Sequence, residues 1–253
     1  MEWKKQKSKE GLNYALLSAA GIITLLAVWQ LVVSVGLVNE RMLPAPTQIF
    51  ETLMYKFANK APDGNVLWVN ILASLQVALS GFLAAIIIGV PLGLVMGWWT
   101  YADRFIRPIF ELVRPVPPIA WIPLVVVWMG IGLKAKALII FFTAFVPCVI
   151  NSYAGIKQTK PVHLWVAQTF GASRAKMLFT VAIPTAMPLI FTGLRISLQA
   201  AWTTLCAAEM LAANKGLGYM IQLNRSLARA DLIIVGMLTI GFIGTVFAVV
   251  LTK

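Results

Sequence analysis

The chain has 253 residues, 60% of them hydrophobic and only 12% charged, with a net charge of +12. A soluble domain carries about 25% charged residues and is at most about half apolar, so lipid must solvate much of this chain. The basic balance would point to nucleic acid in a soluble protein. Here no basic stripe interleaved with aromatics occurs, and Lys and Arg gathered in the loops of a membrane protein set its orientation instead.

Charge-free runs mark the candidate spans in chain order. About 20 apolar residues cross a bilayer core as a helix, so six transmembrane helices are predicted. They lie near 13–37, 70–99, 109–131, 136–157, 185–212 and 231–252, and the whole of 1–253 reads as one all-α transmembrane domain. No cleavable signal peptide is evident, because the first run is too long and lacks a small-residue cleavage site. Placing the N-terminus in the cytoplasm puts the dense Lys4, Lys5, Lys7, Lys9 cluster and the larger share of Lys and Arg on the inner side.

After the first run, the outer segment 44–60 opens with Pro44 and Pro46. It continues with an amphipathic pattern (Ile49, Phe50, Leu53, Met54, Phe57), which predicts a short helix at the outer interface. The second run carries Gly81, Ala85, Gly89, Gly93 and Gly97 at four-residue spacing. Such a face lets a neighbouring helix come close. Packing within the bundle is the favoured reading, with a subunit interface or a sliding contact between moving helices as the other.

The third run begins "VRPVPPIAWIP" from Val113 to Pro123. Pro115, Pro117 and Pro118 are expected in the first turn of the span, where proline is tolerated. Pro123 is expected one or two turns inside, kinking the helix and freeing a carbonyl. Distorted backbone needs protein or a wet cavity beside it, so Pro117, Pro118, Trp121 and Pro123 are candidates to line a pathway or an interface.

The segment 158–184 is predicted to hold a short helix after Pro161, a bend at Gly171, and a helical lead into the fifth span. Leu164, Trp165, Val166 and Phe170 make that helix apolar, and Lys160, His163, Arg174 and Lys176 rim it. This is either a docking surface for another protein or a helix tucked beneath its own bundle. In the fifth run, Arg195 falls near mid-depth and Glu209 near the outer end. A charge in lipid costs roughly 3 kcal/mol on insertion scales, so each must face a cavity or a partner. Arg195 either lines a pathway for an anionic solute or anchors the carbonyls of adjacent helices. Glu209 reads as a gate or an outer-loop anchor. Trp202, Thr203, Thr204 and Met210 could share a pore-facing stripe.

Some chemistry has no support. Cys148 and Cys206 sit in apolar runs and His163 is the lone histidine, so neither a disulfide nor a metal site is expected. There is no G-x-x-x-x-G-K-[ST] loop, so the chain is not expected to be an enzyme and any ATP must be hydrolysed by a partner. No H-E-x-x-H and no paired Asp within the spans supports a membrane hydrolase.

Several stretches together resemble ABC importer permeases of the nitrate/sulfonate/taurine/bicarbonate-type branch. These are "LPAPTQI" (43–49), "RPVPPIAWIPLVVVWMGIG" (114–132), 171–202 and "AAEMLAANKGLGYMI" (207–221). The inner segment resembles their cytoplasmic "EAA" loop, with Ala167, Gly171, Val181, Ile183 and Pro184 at matching positions. Trp165 stands where that pattern has Glu, and Val166 follows it, which weakens any ionic contact carried over from the family but keeps the bend and the apolar face.

The resemblance implies a type I importer permease fold with 158–184 as the coupling loop. It would place His163, Leu164, Trp165, Val166, Ala167, Phe170, Gly171, Ala172 and Arg174 against a cytoplasmic ABC ATPase that carries the ATP and Mg. It implies a second permease subunit, forming a homodimer, an extracytoplasmic solute-binding protein, and a bacterial inner-membrane location with both termini cytoplasmic. The solute would be a small organic or inorganic anion such as a sulfonate, taurine, nitrate, bicarbonate or an aromatic acid. A longer cytoplasmic tail than the one ending at Lys253 is also implied, as if the chain were truncated. The competing reading is a self-contained secondary transporter or channel, which usually shows internal repeats and ionisable groups near the midplane. One candidate Arg and no convincing repeat disfavour it.

Overall fold

A computed structural model describes residues 2–252, with side chains over 16–210 and 213–250; the Lys4–Lys9 side chains lie outside those described. The described residues form helices and no strand. In lipid a backbone has no water to bond, so long apolar runs must satisfy their N–H and C=O groups internally.

The helices are α1 (Glu2–Ser34), α2 (Pro46–Ala58), α3 (Leu67–Trp98), α4 (Thr100–Val113), α5 (Ile122–Met129), α6 (Leu133–Lys157), α7 (Pro161–Thr169), α8 (Arg174–Met177), α9 (Ile183–Ala212), α10 (Leu217–Ser226) and α11 (Ala230–Thr252). Five stretches are long and apolar enough to cross a membrane: Leu16–Ser34, Leu67–Trp98, Leu133–Lys157, Arg174–Met210 and Ala230–Val250.

The centre is a trio, α3, α6 and α9. The small-residue stripe of α3 lies against α6. A Cβ on Gly81 would fall 2.6 Å from the Ala137 carbonyl oxygen, and one on Gly93 2.5 Å from that of Val149. One on Gly97 would fall 2.7 Å from Ile156 Cβ, and one on Gly89 3.0 Å from Cys148 Cβ. Ala85 is fully buried in the same seam. On the other side of α6, Gly155 meets Ala186 of α9, and Gly193 of α9 meets Asn151. The Ser197 hydroxyl donates to the Ala144 carbonyl at 2.9 Å, leaving the Cys148 thiol to donate to Ser197 at 3.1 Å. α1 stands apart, its Leu16, Leu17, Ile22, Ile23 and Leu25 all exposed to what must be lipid.

Two expectations are corrected. The third span over 109–131 is not one helix. α4 and a short 3-10 turn (Pro118–Trp121) leading into α5 meet at 81°. Pro115, Pro117 and Pro118 withhold three N–H groups within four residues, so no i→i−4 ladder can cross that point. Pro123 occupies the first turn of α5 rather than a helix interior, and it causes no kink. The fifth span also begins earlier than 185. α8, a π-turn (Leu178–Ala182) and α9 run on as one apolar stretch from Arg174. Pro184 has no N–H for the Thr180 carbonyl, and the ladder widens to i→i+5 just before it.

The α3–α6 seam yields the first prediction. Gly93→Ala puts a methyl on a backbone oxygen that cannot swing away, and should cost about 1–3 kcal/mol, as overpacking does. Gly89→Ala, whose nearest neighbours are mostly side-chain atoms, should cost less. Thermal unfolding of the two variants in detergent checks the order.

Candidate functional site

Functional features gather at both ends of the trio and along the outer face of α9. At one end, α7 hangs between α6 and α8. Pro161 opens it, as suits a first-turn position. Gly171 closes it with a left-handed φ of +77°, and the Ala172 N–H reaches back to the Ala167 carbonyl at 3.0 Å. The Ser173 hydroxyl then accepts from the Lys176 N–H at 3.3 Å and starts α8. α7 is not tucked beneath the bundle: Trp165 is 64% exposed and Phe170 86%. His163, Val166 and Arg174 are exposed as well, while Leu164, Ala167 and Ala172 are half-buried.

Along α9, Thr185, Thr192, Arg195, Gln199 and Thr203 are all exposed and fall on one face. From Thr185 to Thr203 this polar stripe spans about 27 Å at 1.5 Å per residue, close to a full hydrocarbon thickness. The threonines bond back to carbonyls four residues earlier, Thr185 to Val181 at 2.7 Å and Thr192 to Pro188 at 2.9 Å. Arg195 makes no hydrogen bond or ion pair among the described residues, so the carbonyl anchor expected for it is absent there. It borders grooves shared with α11 (Phe247, Val250) and α3 (Phe82, Ile86). Trp202 is corrected from pore-facing to core. It is 3% exposed, its indole N–H donates to the Ile240 carbonyl at 3.0 Å, and Phe247 packs edge-on against it at 5.2 Å. Of the four residues expected to share its stripe, only Thr203 is exposed.

At the bend between α4 and α5, Pro117 and Pro123 are exposed and Pro118 half-buried. Trp121 stacks on Phe142 at 5.2 Å. A cavity of about 430 Å³ opens there, walled by Phe110, Trp121, Phe141, Phe142 and Phe145, with Arg114 at its edge. Arg114 pairs with Glu111 at 3.6 Å on the exposed side.

At the end opposite α7, Glu209 is 1% exposed and fully engaged. The Ser74 hydroxyl lies 2.8 Å from its Oε2, and the Gly218 N–H donates to it at 2.9 Å. Ser74 also accepts the Leu217 N–H at 2.9 Å, and Asn70 Oδ1 accepts the Gly216 N–H at 3.1 Å. Asn70 Nδ2 donates to Asp63 at 2.7 Å, and Asp63 pairs with the fully buried Lys56. Lys56 also donates to the Asn65 carbonyl at 2.7 Å. One polar chain thus ties α2, the 59–66 loop, α3, the start of α10 and the end of α9. Lys136, itself buried, is the nearby cation acting on Glu209. Sequence reasoning found Glu209 but missed its partners. The signal for Asn70 and Ser74 was present: two polar residues one turn apart in an apolar run. Among the described residues, no cluster could hold a metal.

This geometry makes Glu209 an anchor of the loop between α9 and α10 rather than a mobile gate. Glu209→Ala strands buried donors on Ser74 and Gly218 and should cost about 2–4 kcal/mol, the scale of unsatisfied buried groups. Glu209→Gln keeps an acceptor and should cost less. Limited proteolysis around 213–216 in the two variants measures the difference.

Comparison with known proteins places this geometry. Residues 85–252 match the family described as binding-protein-dependent transport system inner membrane component. The taurine transport system permease protein TauC of Escherichia coli (strain K12) is 37% identical over 243 residues, covering 96% of this chain and 87% of that protein. The nitrate import permease protein NrtB of Synechocystis sp. is 32% identical, covering 89% and 82%. The bicarbonate transport system permease protein CmpB of Synechococcus elongatus is 34% identical, covering 85% and 79%. Among solved structures, the inward-facing MetNI methionine ABC transporter aligns with a TM-score of 0.59 at 17% identity, over 74% of this chain and 98% of that one, which supports the fold alone. The trio, its loop helix and these relatives agree: the chain belongs to the binding-protein-dependent transport system inner membrane component family and is an ABC importer permease with the type I fold.

Proposed function

We propose that the chain forms, as a homodimer, the pathway for a small anion, and that α7 couples this pathway to a cytoplasmic ATPase carrying ATP and Mg. The observation that carries this reading is the polar stripe of α9. An exposed Arg195 at mid-depth, flanked by Gln199 and Thr192, costs too much against lipid. It belongs against water or a second copy, where a guanidinium offers paired donors to an oxyanion. The relatives named for taurine, nitrate and bicarbonate carry solutes of that chemistry. A separate solute-binding protein delivers the solute at the outer end, next to α2 and α10.

Coupling runs through the other end. α7 presents Trp165, Val166 and Phe170 outward, an apolar surface fit for a cleft in the ATPase. Its attachment to α9 passes through the Gly171 bend and the π-turn at Leu178–Ala182, so a push on α7 tilts the lower part of α9 and its stripe. Counting the bent pair α4–α5 as one crossing makes six, and an even number supports both termini lying on the α7 side, which this reading takes as the cytoplasmic face of a bacterial inner membrane.

Two measurements test this. In a Cys148→Ala, Cys206→Ala background, cysteines placed at Thr192 and Gln199 should react with a water-soluble thiol reagent, whereas one at Leu83, exposed on α3, should not. Equal inertness at all three positions would take the α9 stripe out of a water-filled pathway and overturn the pathway role. Co-purification with the genomic neighbours should retain an ATPase, and Trp165→Ala with Phe170→Glu should lose most of it. Uptake that persists without any ATPase would overturn the coupling role.

A further inference from the structure

Between the α3–α4 turn and the α7–α8 segment lies a groove of about 720 Å³. Arg104, Lys157 and Arg174 line it, and no carboxylate does. None of the three forms an ion pair among the described residues. The neighbouring Asp103 is held by Arg107 at 3.0 Å and by the Tyr153 hydroxyl. Lys157 lies only over the Tyr153 ring, 5.5 Å from its centroid. Three cations around one groove raise one another's energy until an anion sits among them.

Thr159 points independently to a ligand. It lines the same groove, is 8% exposed, and its buried hydroxyl has no hydrogen-bond partner among the described residues. Depth is marked by Trp98, Trp99 and Tyr101, which also line the groove. Trp and Tyr settle at the headgroup level of a bilayer. From this rim an apolar track climbs α4: Phe105 is 75% exposed, Ile109 56% and Leu112 78%, at i, i+4 and i+7. A basic pocket at headgroup depth, with an exposed apolar stripe rising from it, fits both halves of one molecule.

We propose that this groove binds the phosphate headgroup of an anionic phospholipid, whose acyl chain lies along α4. The headgroup bridges Arg104 at the start of α4, Lys157 at the end of α6 and Arg174 at the start of α8. These positions frame α7, so a bound lipid stiffens the platform from which α7 hangs. The inference rests on the permease reading only in taking the α7 end as the cytoplasmic side, where basic pockets between helices meet anionic headgroups.

The test is read on the full chain alone. It is purified in detergent, offered equimolar phosphatidylglycerol and phosphatidylcholine, and examined by native mass spectrometry for retained lipid. Phosphatidylglycerol should be retained at least about fivefold over phosphatidylcholine, the worth of a single Lys or Arg near an anionic surface. The R104Q/K157Q/R174Q variant should lose that preference, and Thr159→Val or Arg104→Gln alone should reduce it. The control K134Q/K215Q/R225Q removes three exposed cations at the opposite end and should keep it.

Equal retention of the two lipids by the unmodified chain would overturn the proposal, as would equal loss in the control. Full displacement of phosphatidylglycerol by millimolar inorganic phosphate would assign the groove to a free anion and overturn it too. Because the readout needs no transport, a missing lipid preference beside a co-purifying ATPase defeats this inference and spares the permease reading. A lipid preference without an ATPase does the converse.

Discussion

Everything in this structure hangs on the closeness of α3 to α6. Between helices in lipid there is little hydrophobic drive, because lipid tails are as apolar as the side chains. What remains is dispersion, which needs contact along the whole seam. Gly81, Gly89, Gly93 and Gly97 supply it by removing every Cβ that would hold the helices apart. α9 joins the same core through Gly193 and Ala186 against α6. With the trio fixed, the remaining face of α9 has to point outward, and that face holds Arg195.

Two irregularities within the apolar crossing stretches are set by proline. At 115–118 it turns a would-be span into two arms at 81° and leaves an aromatic cavity in the elbow. At 178–184 it widens the ladder into a π-turn without breaking the helix. The difference lies in spacing. Three prolines within four residues abolish the ladder, whereas Pro184 and Pro188, one turn apart, each remove one bond and the helix adjusts around them.

The sequence made legible whatever depends on local chemistry. Charge-free runs located the helices, Gly171 the bend after α7, and quoted stretches the family, which the relatives bear out. Direction was not legible. Missing N–H groups announce a break near Pro117 but not its 81° angle, because the angle depends on where α6 leaves room for the arms. Trp202 and Arg195 lie seven residues apart and only about 20° off the same face by helical phase, which is too little for periodicity to separate core from surface. α11 separates them, covering Trp202 through Ile240 and Phe247. The partners of Glu209 were hidden for a similar reason: Ser74 is 135 residues away, and only the folded trio brings them together.

The two ends of the trio handle charge in opposite ways, and this bears on how the molecule can move. At the far end Lys56 and Asp63 pair in full burial, Glu209 is satisfied by Ser74 and Gly218, and Arg229 grips Asp231 at 2.7 Å. Breaking any buried pair there costs several kcal/mol, so that end resists rearrangement. At the α7 end Arg104, Lys157 and Arg174 carry no carboxylate partner among the described residues, and α7 exposes its aromatic side chains. There Arg107, Asp103 and Tyr153 tie α4 to α6, and Ile156, Leu178 and Ala182 share a buried cluster, so the joints lie in α7 itself, whose link to α9 is a glycine bend and a π-turn. On the proposed coupling, the polar stripe of α9 lies between those joints and the tightly paired far end, so a push on α7 moves its lower part, from Thr185 to Thr192, further than Thr203.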